Sequence, residues 1–396
     1  MAKSQLSCTG AAATASGATQ YYQLGSGRLN RIVGAAEAQL QRPVNKAGTL
    51  RNFYFRSPTN TTSVSTTVTL RVNGADSALT FSVGAGATGE FRDFTNTVTI
   101  ASGDEVSVQL VVAAGTGTIT TEVMSVDFDA ADGTTYCFST MDGRNHAIAS
   151  GTRYLTLGGS GASDVTEADV SQEINTVGTL KHLYVYVSAN ARTTTTTIGV
   201  RVNGANGNNV VTIGAGATGV FEYTSTGDTV AVGDQCNLYI TTGTGTETLT
   251  YTIMSVAFES ANNTFLNFMG NGGGVSFAAT RYAGFGFGDS IESTTEADRT
   301  AEATIPFSVS NIWIYVVSNT VASVSTWGAR LGGAALNNTI SVGSSATGEF
   351  QVDLQDPIAY SQEFGQAWIP GTSGTMVLGS GIVVMKSVSG EFFHMF

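Results

Sequence analysis

Apolar and polar residues alternate along much of this chain, in short runs separated by turns that contain glycine. Residues 248–253 read Thr-Leu-Thr-Tyr-Thr-Ile, which places Leu249, Tyr251 and Ile253 on one face of a strand. Residues 65–72 follow the same alternation. Helical periodicity is nearly absent. The pattern therefore predicts an all-β protein.

One part of this pattern occurs three times. The segment Arg-Val-Asn-Gly at positions 71–74 returns at positions 201–204 and, altered to Arg-Leu-Gly-Gly, at positions 330–333. The copies are spaced by the length of a small domain. We predict three tandem domains of about 130 residues each, the third of them divergent: residues 1–130, 131–261 and 262–396. These are called repeats 1, 2 and 3.

Each repeat contains enough alternating segments for about eight to ten short strands, and Asn-Gly pairs mark tight turns between them. Many short strands joined by tight turns are typical of β-sandwiches and barrels, and we favour a jelly-roll-like sandwich. The boundaries fall at short polar segments, residues 130–133 and 260–263. Joints this short are not flexible linkers, so neighbouring repeats are expected to pack on each other.

Composition and charge exclude several classes of partner. Charged residues make up 12% of the chain, against about 25% in an average protein, and the net charge is -12. The four lysines are scattered, so neither nucleic acid nor an anionic membrane is an expected partner. The first residues carry no secretory signal pattern, so we expect synthesis without a signal peptide.

Candidate chemistry is sparse. The three cysteines, Cys8, Cys137 and Cys236, lie in different repeats and are interpreted as buried thiols, with Cys8 and Cys137 at similar repeat positions. The chain has only three histidines, and His182 is interpreted as a polar residue on a sheet face. We therefore predict no catalytic residue, no metal site and no cofactor. Calcium at an Asp-containing turn is the alternative that stays open.

A glutamate and an arginine recur at fixed repeat positions. The recurring residues are Glu37, Glu167 and Glu296, and Arg71, Arg201 and Arg330. One acid in three copies does not supply the two carboxyl groups that a glycosidase places around one cleft. We therefore expect a structural role, in which the glutamate either accepts backbone amides at a turn or pairs with the recurring arginine.

Aromatic residues recur as well, and most are expected in the core. The recurring positions are Tyr22, Tyr154 and Tyr282, and Phe91, Phe221 and Phe350. The alternative is a face on which sugar rings stack. Tryptophan is confined to repeat 3, where Trp327 and Trp368 are candidates for surface recognition. The apolar residues Phe392, Phe393 and Phe396 are candidates for docking to a particle or to a second copy.

The order of these motifs resembles that of bacteriophage virion accessory proteins with tandem jelly-roll-like repeats, including head-decoration, fibre and tail-associated proteins. The likeness rests on residues 50–55, 68–74, 84–91, 103–104 and 124–128 and on their second copies. Repeat 3 lacks the asparagine before its glycine and a clear Gly-Asp turn. The resemblance implies a structural or adhesive role on a virus particle, frequently as a trimer. It also implies synthesis in the host cytoplasm, which agrees with the missing secretory signal.

The leading prediction is thus a non-enzymatic virion structural protein on the particle surface, bound to other capsid or tail proteins. A homotrimer is the first expectation, and a pseudo-threefold unit formed by one chain is the alternative. Two further functions stay open: a carbohydrate-binding adhesin that contacts a host-surface glycan, and a self-assembling extracellular filament or surface-layer protein.

Overall fold

The computed structural model describes ten stretches of the chain: residues 3–25, 33–142, 150–160, 163–245, 247–269, 280–283, 295–296, 300–303, 306–359 and 361–387. Within them the chain is built of β-strands. The 3-10 turns with both ends described are Glu37–Gln39 and Glu167–Asp169, and Glu296 is also in 3-10 conformation. No helix in these stretches is long and apolar enough to cross a membrane.

The strand bounds follow the three repeats. Repeat 1 contains β1 Lys3–Ala15, β2 Thr19–Tyr22, β3 Val33–Gly34, β4 Arg42–Val44, β5 Gly48–Ser57, β6 Thr59–Asn60, β7 Thr66–Val72, β8 Ala75–Val83, β9 Gly89–Ile100, β10 Asp104–Val112 and β11 Thr118–Ala130. Repeat 2 contains β12 Thr135–Asp142, β13 Gly151–Leu155, β14 Gly159–Ser160, β15 Gln172–Ile174, β16 Gly178–Asn190, β17 Thr196–Val202, β18 Ala205–Ile213, β19 Gly219–Tyr223, β20 Asp228–Val230, β21 Asp234–Thr242 and β22 Leu249–Ser260. Repeat 3 contains β23 Thr264–Met269, β24 Arg281–Ala283, β25 Ala301–Glu302, β26 Phe307–Asn319, β27 Ser325–Leu331, β28 Ala334–Val342, β29 Gly348–Val352, β30 Asp356–Ile358, β31 Glu363–Ile369 and β32 Met376–Ser387.

The long strands of each repeat form two sheets with one topology. In repeat 1 the strand orders are β1-β11-β5-β9 and β2-β10-β7-β8. Repeat 2 gives β12-β22-β16-β19 and β13-β21-β17-β18, and repeat 3 gives β23-β32-β26-β29 and β24-β31-β27-β28. Eight strands arranged in this order in two antiparallel sheets make a jelly roll. The prediction of an all-β chain with three jelly-roll-like sandwiches is therefore confirmed.

The alternation that predicted the strands corresponds to burial. Leu249, Tyr251 and Ile253 are all fully buried along β22. In β7, Val68 and Leu70 are buried and Thr67 is exposed, whereas Thr69 between them is also buried and its hydroxyl forms a hydrogen bond with that of Thr80. Among the described residues, one continuous cluster of buried apolar side chains extends through all three sandwiches. The recurring phenylalanines pack partly buried against this cluster, as the sequence predicted.

The Asn-Gly turns need left-handed backbone conformations, which explains how repeat 3 departs from the pattern. Asn73 and Gly74 have φ values of 50° and 74°, and Asn203 and Gly204 have 51° and 75°. A two-residue hairpin turn with positive φ at both positions accepts Asn-Gly or Gly-Gly. In repeat 3, Gly332 takes the asparagine position with φ 53°. The turn is thus kept although the motif is lost.

Residues 384–385 read Val-Met and residues 253–254 read Ile-Met, so the sequence aligns Met385 with Met254 in the closing strands. Strand pairing corrects this match. Leu180 and Val309 are equivalent, because the carbonyl of each accepts a hydrogen bond from a recurring asparagine side chain. Leu180 pairs with Phe258, and Val309 pairs with Met385. Met385 therefore replaces Phe258, and the predicted match was displaced along the strand.

The cysteines give a second correction. Cys137 pairs with Phe258, whereas Cys8 pairs with Met124. Met124 pairs with Phe55 in β5, and Phe258 pairs with Leu180 at the other end of the matching strand of repeat 2. Cys8 and Cys137 thus lie at different positions of their strands, and the prediction that they are equivalent was wrong.

Candidate functional site

The recurring glutamate and arginine form an ion pair in every repeat. The Arg Nε donates to the Glu Oε1 at 2.6 Å in all three cases: Arg71 to Glu37, Arg201 to Glu167 and Arg330 to Glu296. The Nη2 of each arginine also donates to the carbonyl of the turn glycine, at Gly74, Gly204 and Gly333. Of the two predicted roles for the glutamate, pairing with the arginine is confirmed.

A tyrosine ring lies against each of these arginines. The guanidinium carbon lies 6.0 Å from the ring centroid of Tyr21, and the equivalent distances to Tyr154 and Tyr282 are 5.6 Å and 5.5 Å. Tyr21 pairs with Gln109 and Tyr154 pairs with Tyr239, and these partners occupy the same position in their repeats, so Tyr21 is the counterpart of Tyr154. The prediction that Tyr22 holds this position was wrong.

The cluster of glutamate, arginine and tyrosine links a sheet strand to the connecting segment of the same repeat. It joins β7, β17 or β27 to the connecting segment, defined as residues 33–47 in repeat 1, residues 163–177 in repeat 2 and the described residues 295–296 and 300–303 in repeat 3. In repeat 1 the Ser107 hydroxyl also donates to Glu37 Oε1 at 2.9 Å. The hydrogen bond that Arg71 donates to Glu37 raises the pKa of Arg71. The charges are thus used to hold the connecting segment in place.

A recurring asparagine was missed by the sequence analysis. Asn190 Nδ2 donates to the carbonyls of Gly214 and Ala217, both at 3.0 Å. Asn60 and Asn319 make the same pair of bonds to the equivalent glycine loops. The three asparagines follow the spacing of the repeats, so their recurrence could have revealed them. Each one fixes the loop between two strands that lie in different sheets.

Edge strands are capped by a buried carboxylate. Asp228 accepts hydrogen bonds from the backbone amides of Asn208 and Asn209 in β18, which is the outer strand of its sheet. Asp356 does the same for two amides of β28. Unpaired amides on an edge strand are a template for pairing with another chain. The carboxylates occupy part of that template.

The connecting segment of repeat 1 packs on the outer sheet face of repeat 2, and this contact is named the first joint. Arg42 is fully buried there, with its guanidinium carbon 4.7 Å from the Phe138 ring centroid and 5.8 Å from that of Tyr184. Lys46 Nζ lies 2.8 Å from Glu259 Oε2, which Lys181 also contacts at 2.7 Å. Burial raises the pKa of Glu259, but the hydrogen bonds from the two lysines outweigh burial and lower it.

The connecting segment of repeat 2 packs on repeat 3 in the same way, and this contact is the second joint. Gln172 Nε2 donates to the Gly381 carbonyl at 2.6 Å, and the Ser380 hydroxyl donates to the Ser171 carbonyl at 2.7 Å. Asn175 Nδ2 lies 3.2 Å from Asn311 Oδ1. Amides and hydroxyls thus take the place of the charges that hold the first joint.

Repeat 3 in turn contacts repeat 1, and this is the third joint. Arg56 Nη1 donates to the buried Thr300 hydroxyl at 3.2 Å and lies 3.7 Å from Glu363 Oε1. It also lies 3.5 Å from Glu90 of its own repeat. The three joints therefore run from repeat 1 to 2, from 2 to 3 and from 3 back to 1, which makes a closed cycle. The expectation that neighbouring repeats pack on each other is met.

The residues predicted for recognition and docking have different outcomes. Trp327 and Trp368 are each 2% exposed and pack edge to face, with centroids 5.2 Å apart. A buried indole cannot stack on an external sugar, so their placement on a recognition surface was wrong. Phe392, Phe393 and Phe396 lie outside the described residues, and their docking role stays a prediction.

His182 and the cysteines, which were considered for catalysis, are held in uncharged forms. Burial, with Lys181 and Arg42 nearby, lowers the pKa of His182 to about 4, which leaves the ring neutral near pH 7. The cysteines are free and buried, and burial raises the pKa of Cys137 to about 12. A thiol that stays protonated is a poor nucleophile. Within the described stretches no three His, Cys, Asp or Glu residues are grouped so as to hold a metal ion.

Comparison with known proteins finds similarity to solved structures but no matching family. No known protein family matches the chain, and no curated protein matches it. Among solved structures it is similar to one described as "The Triple Jelly Roll Fold and Turret Assembly in an Archaeal Virus", with 16% identity, a TM-score of 0.18 and coverage of 88% of this chain and 81% of that one. A TM-score this low carries no inference about function.

Proposed function

We propose that this chain is a non-enzymatic structural protein of a virus particle, a capsid-decoration, fibre or tail component that binds other virion proteins through the surfaces of its jelly rolls. The observation that carries the proposal is the closed cycle of joints. Charged and polar side chains, which an enzyme would place around a cleft, are used here to hold three sandwiches to each other.

The chemistry of the described residues supports a structural role over an enzymatic one. The recurring carboxylates are paired with arginines inside each repeat. The described histidine is neutral and the cysteines are buried thiols. The resemblance of the repeats to phage accessory proteins supports the particle as the location. The burial of Trp327 and Trp368 removes the two side chains that were predicted for surface recognition.

Labelled-antibody electron microscopy of particles from the source culture tests the proposal. We expect label on particles, and its position separates a capsid location from a tail location. Label on cell-derived fibres would favour the filament, and label on no particle would contradict the virion role. Antibody blocked with the purified chain is the control, because it must lose the particle signal.

A further inference from the structure

We propose that one copy of this chain closes the threefold arrangement by itself, so that the protein meets its partner as a single-chain pseudo-trimer and not as a homotrimer. The proposal concerns the purified chain and does not depend on the virion role. It is argued from the three joints, which repeat in position but differ in chemistry.

The same two repeat positions face each other at the second and third joints. At the second joint Gln235 Nε2 donates to Glu349 Oε1 at 3.0 Å. Strand pairing makes Glu363 the counterpart of Gln235, and the sequence motif makes Glu90 the counterpart of Glu349. Two glutamates would thus face each other at the third joint. Arg56 lies between them, 3.5 Å from Glu90 and 3.7 Å from Glu363, and balances their charge.

Arg56 belongs to the third joint alone. The pairing of β5, β16 and β26 with their neighbours places Tyr186 and Tyr315 at the equivalent positions in repeats 2 and 3. An arginine is needed only where both facing positions are acidic. The sequence of repeat 1 therefore carries a cation suited to receive repeat 3.

The other joints are equally selective. A Cβ atom on Gly379 would lie 2.2 Å from the Asp169 carbonyl oxygen, so the 3-10 turn of repeat 2 needs a glycine in the repeat that receives it. The equivalent residues of repeats 1 and 2 are Glu122 and Thr252, which have Cβ atoms. At the first joint, Arg42 enters an aromatic pocket, whereas its counterpart Gln172 bonds a carbonyl. Clashes and unpaired charges against the wrong partner give each joint its specificity.

Closure within one chain follows from this selectivity and from chain connectivity. Repeats 1 and 3 are both held by repeat 2, so the third joint forms at an effective concentration on the order of millimolar. A second copy would have to compete at its own much lower concentration and lose translational freedom. In the cycle, each repeat receives the preceding repeat on one face, and all three of these faces are covered. A homotrimer formed through the same faces would need a chain in which the third joint is open.

The first experiment is the mass of the unmodified chain by light scattering at roughly 1 and 100 µM, a range below the effective concentration of the tether. We expect 40.9 kDa, the mass of one chain, at both concentrations. Three times that mass, or a mass that rises with concentration into polymers, would overturn the proposal. This result is independent of where antibody label falls on particles.

The second experiment asks which chain supplies the third joint. In the variant Arg56→Lys, the new amine lies near Glu363, and a carbodiimide joins the two without a spacer. In a mixture of isotopically heavy and light chains we expect the 56–363 cross-link only within chains of one isotope. Mixed heavy-light cross-links would overturn closure within one chain. Arg51→Lys is the matched control, because Arg51 contacts Asp129 inside repeat 1. If Arg56→Lys does not cross-link, the mass of the unmodified chain decides.

Discussion

At the scale of single residues, the recurring arginines and Lys46 are each held by fixed partners within the chain. Each recurring arginine meets a glutamate, a glycine carbonyl and a tyrosine ring, and the lysine at the first joint meets Glu259 and Asp132. Burial raises the pKa of Asp132, but hydrogen bonds from Lys46 and Thr134 outweigh burial and hold it at about 2. Such pairs give direction and specificity more than raw stability.

The Arg201–Glu167 pair is expected to couple energetically. Arg201→Met and Glu167→Gln, singly and together, should give a coupling free energy of about 1 kcal/mol, because the pair is mostly buried and hydrogen-bonded. Urea unfolding of the four proteins of the double-mutant cycle measures it. Arg153→Met on β13, which is separated from β17 by β21, is the control. Additive single effects would contradict the pairing role.

Glu105 at the first joint is expected to make stability depend on pH. Burial and the carboxylates Glu222 and Glu37 raise its pKa above the ordinary value of 4.5. The raised pKa means that the protonated form favours folding, fully below pH 4.5, and that this contribution is lost as the pH rises through the folded-state pKa. Glu105→Gln, which installs the residue found at Gln235, should raise the Tm by about 2 °C at pH 8 and leave it unchanged at pH 4.

Calorimetry at the two pH values measures this difference. Glu222→Gln is the matched variant, because it removes the other carboxylate of the pair and should give a rise of the same sign. A rise that is equal at both pH values would show that charge is not its cause.

At the scale of elements, the strands depend on side chains that fix loops and protect edges. Asn190 binds two carbonyls of the loop at residues 214–218, while its Oδ1 accepts the amide of Arg192 at 3.0 Å. Asp228 binds two amides of the outer strand β18. The asparagine contact recurs in repeat 3. The carboxylate contact recurs there through Asp356, and in repeat 1 a carboxylate accepts a hydrogen bond from one backbone amide of β8.

Asn190→Ala is expected to loosen the loop at residues 214–218. The loss of its hydrogen bonds leaves two carbonyls without a fixed partner and should lower the free energy of unfolding by about 2 kcal/mol. Thermolysin should then cut the loop faster than in the unmodified chain. Thr195→Ala, at a neighbouring position, should leave cleavage unchanged. Equal cleavage of the two variants would contradict the role of Asn190.

Asp228→Ala is expected to promote association through β18. Removal of the carboxylate frees two amides of an edge strand, and a free edge is a site of strand addition from a second molecule. Turbidity and sedimentation after mild heating measure the association. Thr229→Ala, at the exposed next residue, is the control. If Asp228→Ala stays as soluble as the control, the capping role is wrong.

At the scale of the whole molecule, three sandwiches with one topology meet in a closed cycle of joints. Docking to a particle must then use surfaces that the cycle leaves open, or chain outside the described residues. Phe392, Phe393 and Phe396 are the sequence-based candidates for that second route. Burial of such an apolar segment by a partner lowers the free energy of the complex.

Deletion of residues 392–396 is expected to weaken binding to the particle. Co-sedimentation of the purified chain with particles that lack it measures the effect, with a loss of about tenfold if the aromatic side chains are central to the contact. Replacement of the three phenylalanines by serine keeps the length and should give the same loss. Unchanged binding to the particle after the deletion would contradict the docking role.

The sequence by itself determined whatever depends on neighbours along the chain or on the repeat spacing. Alternation over a few residues placed Leu249, Tyr251 and Ile253 in the core. Recurrence predicted a structural role for Glu167, with pairing to Arg201 as one of two alternatives. These features follow from the period of a strand and from copying, and both can be read one segment at a time.

Only the tertiary structure decided which outer sheet faces are covered. Arg42, Gln172 and Arg56 look like ordinary polar positions in the sequence, yet each lies in a joint between repeats. Likewise Trp327 and Trp368, which differ from their counterparts in the other repeats, are buried and not displayed. The physical reason is that a polar face turned to solvent and one turned to a neighbouring sandwich have the same alternation, and contacts between residues far apart in the chain leave no local periodicity.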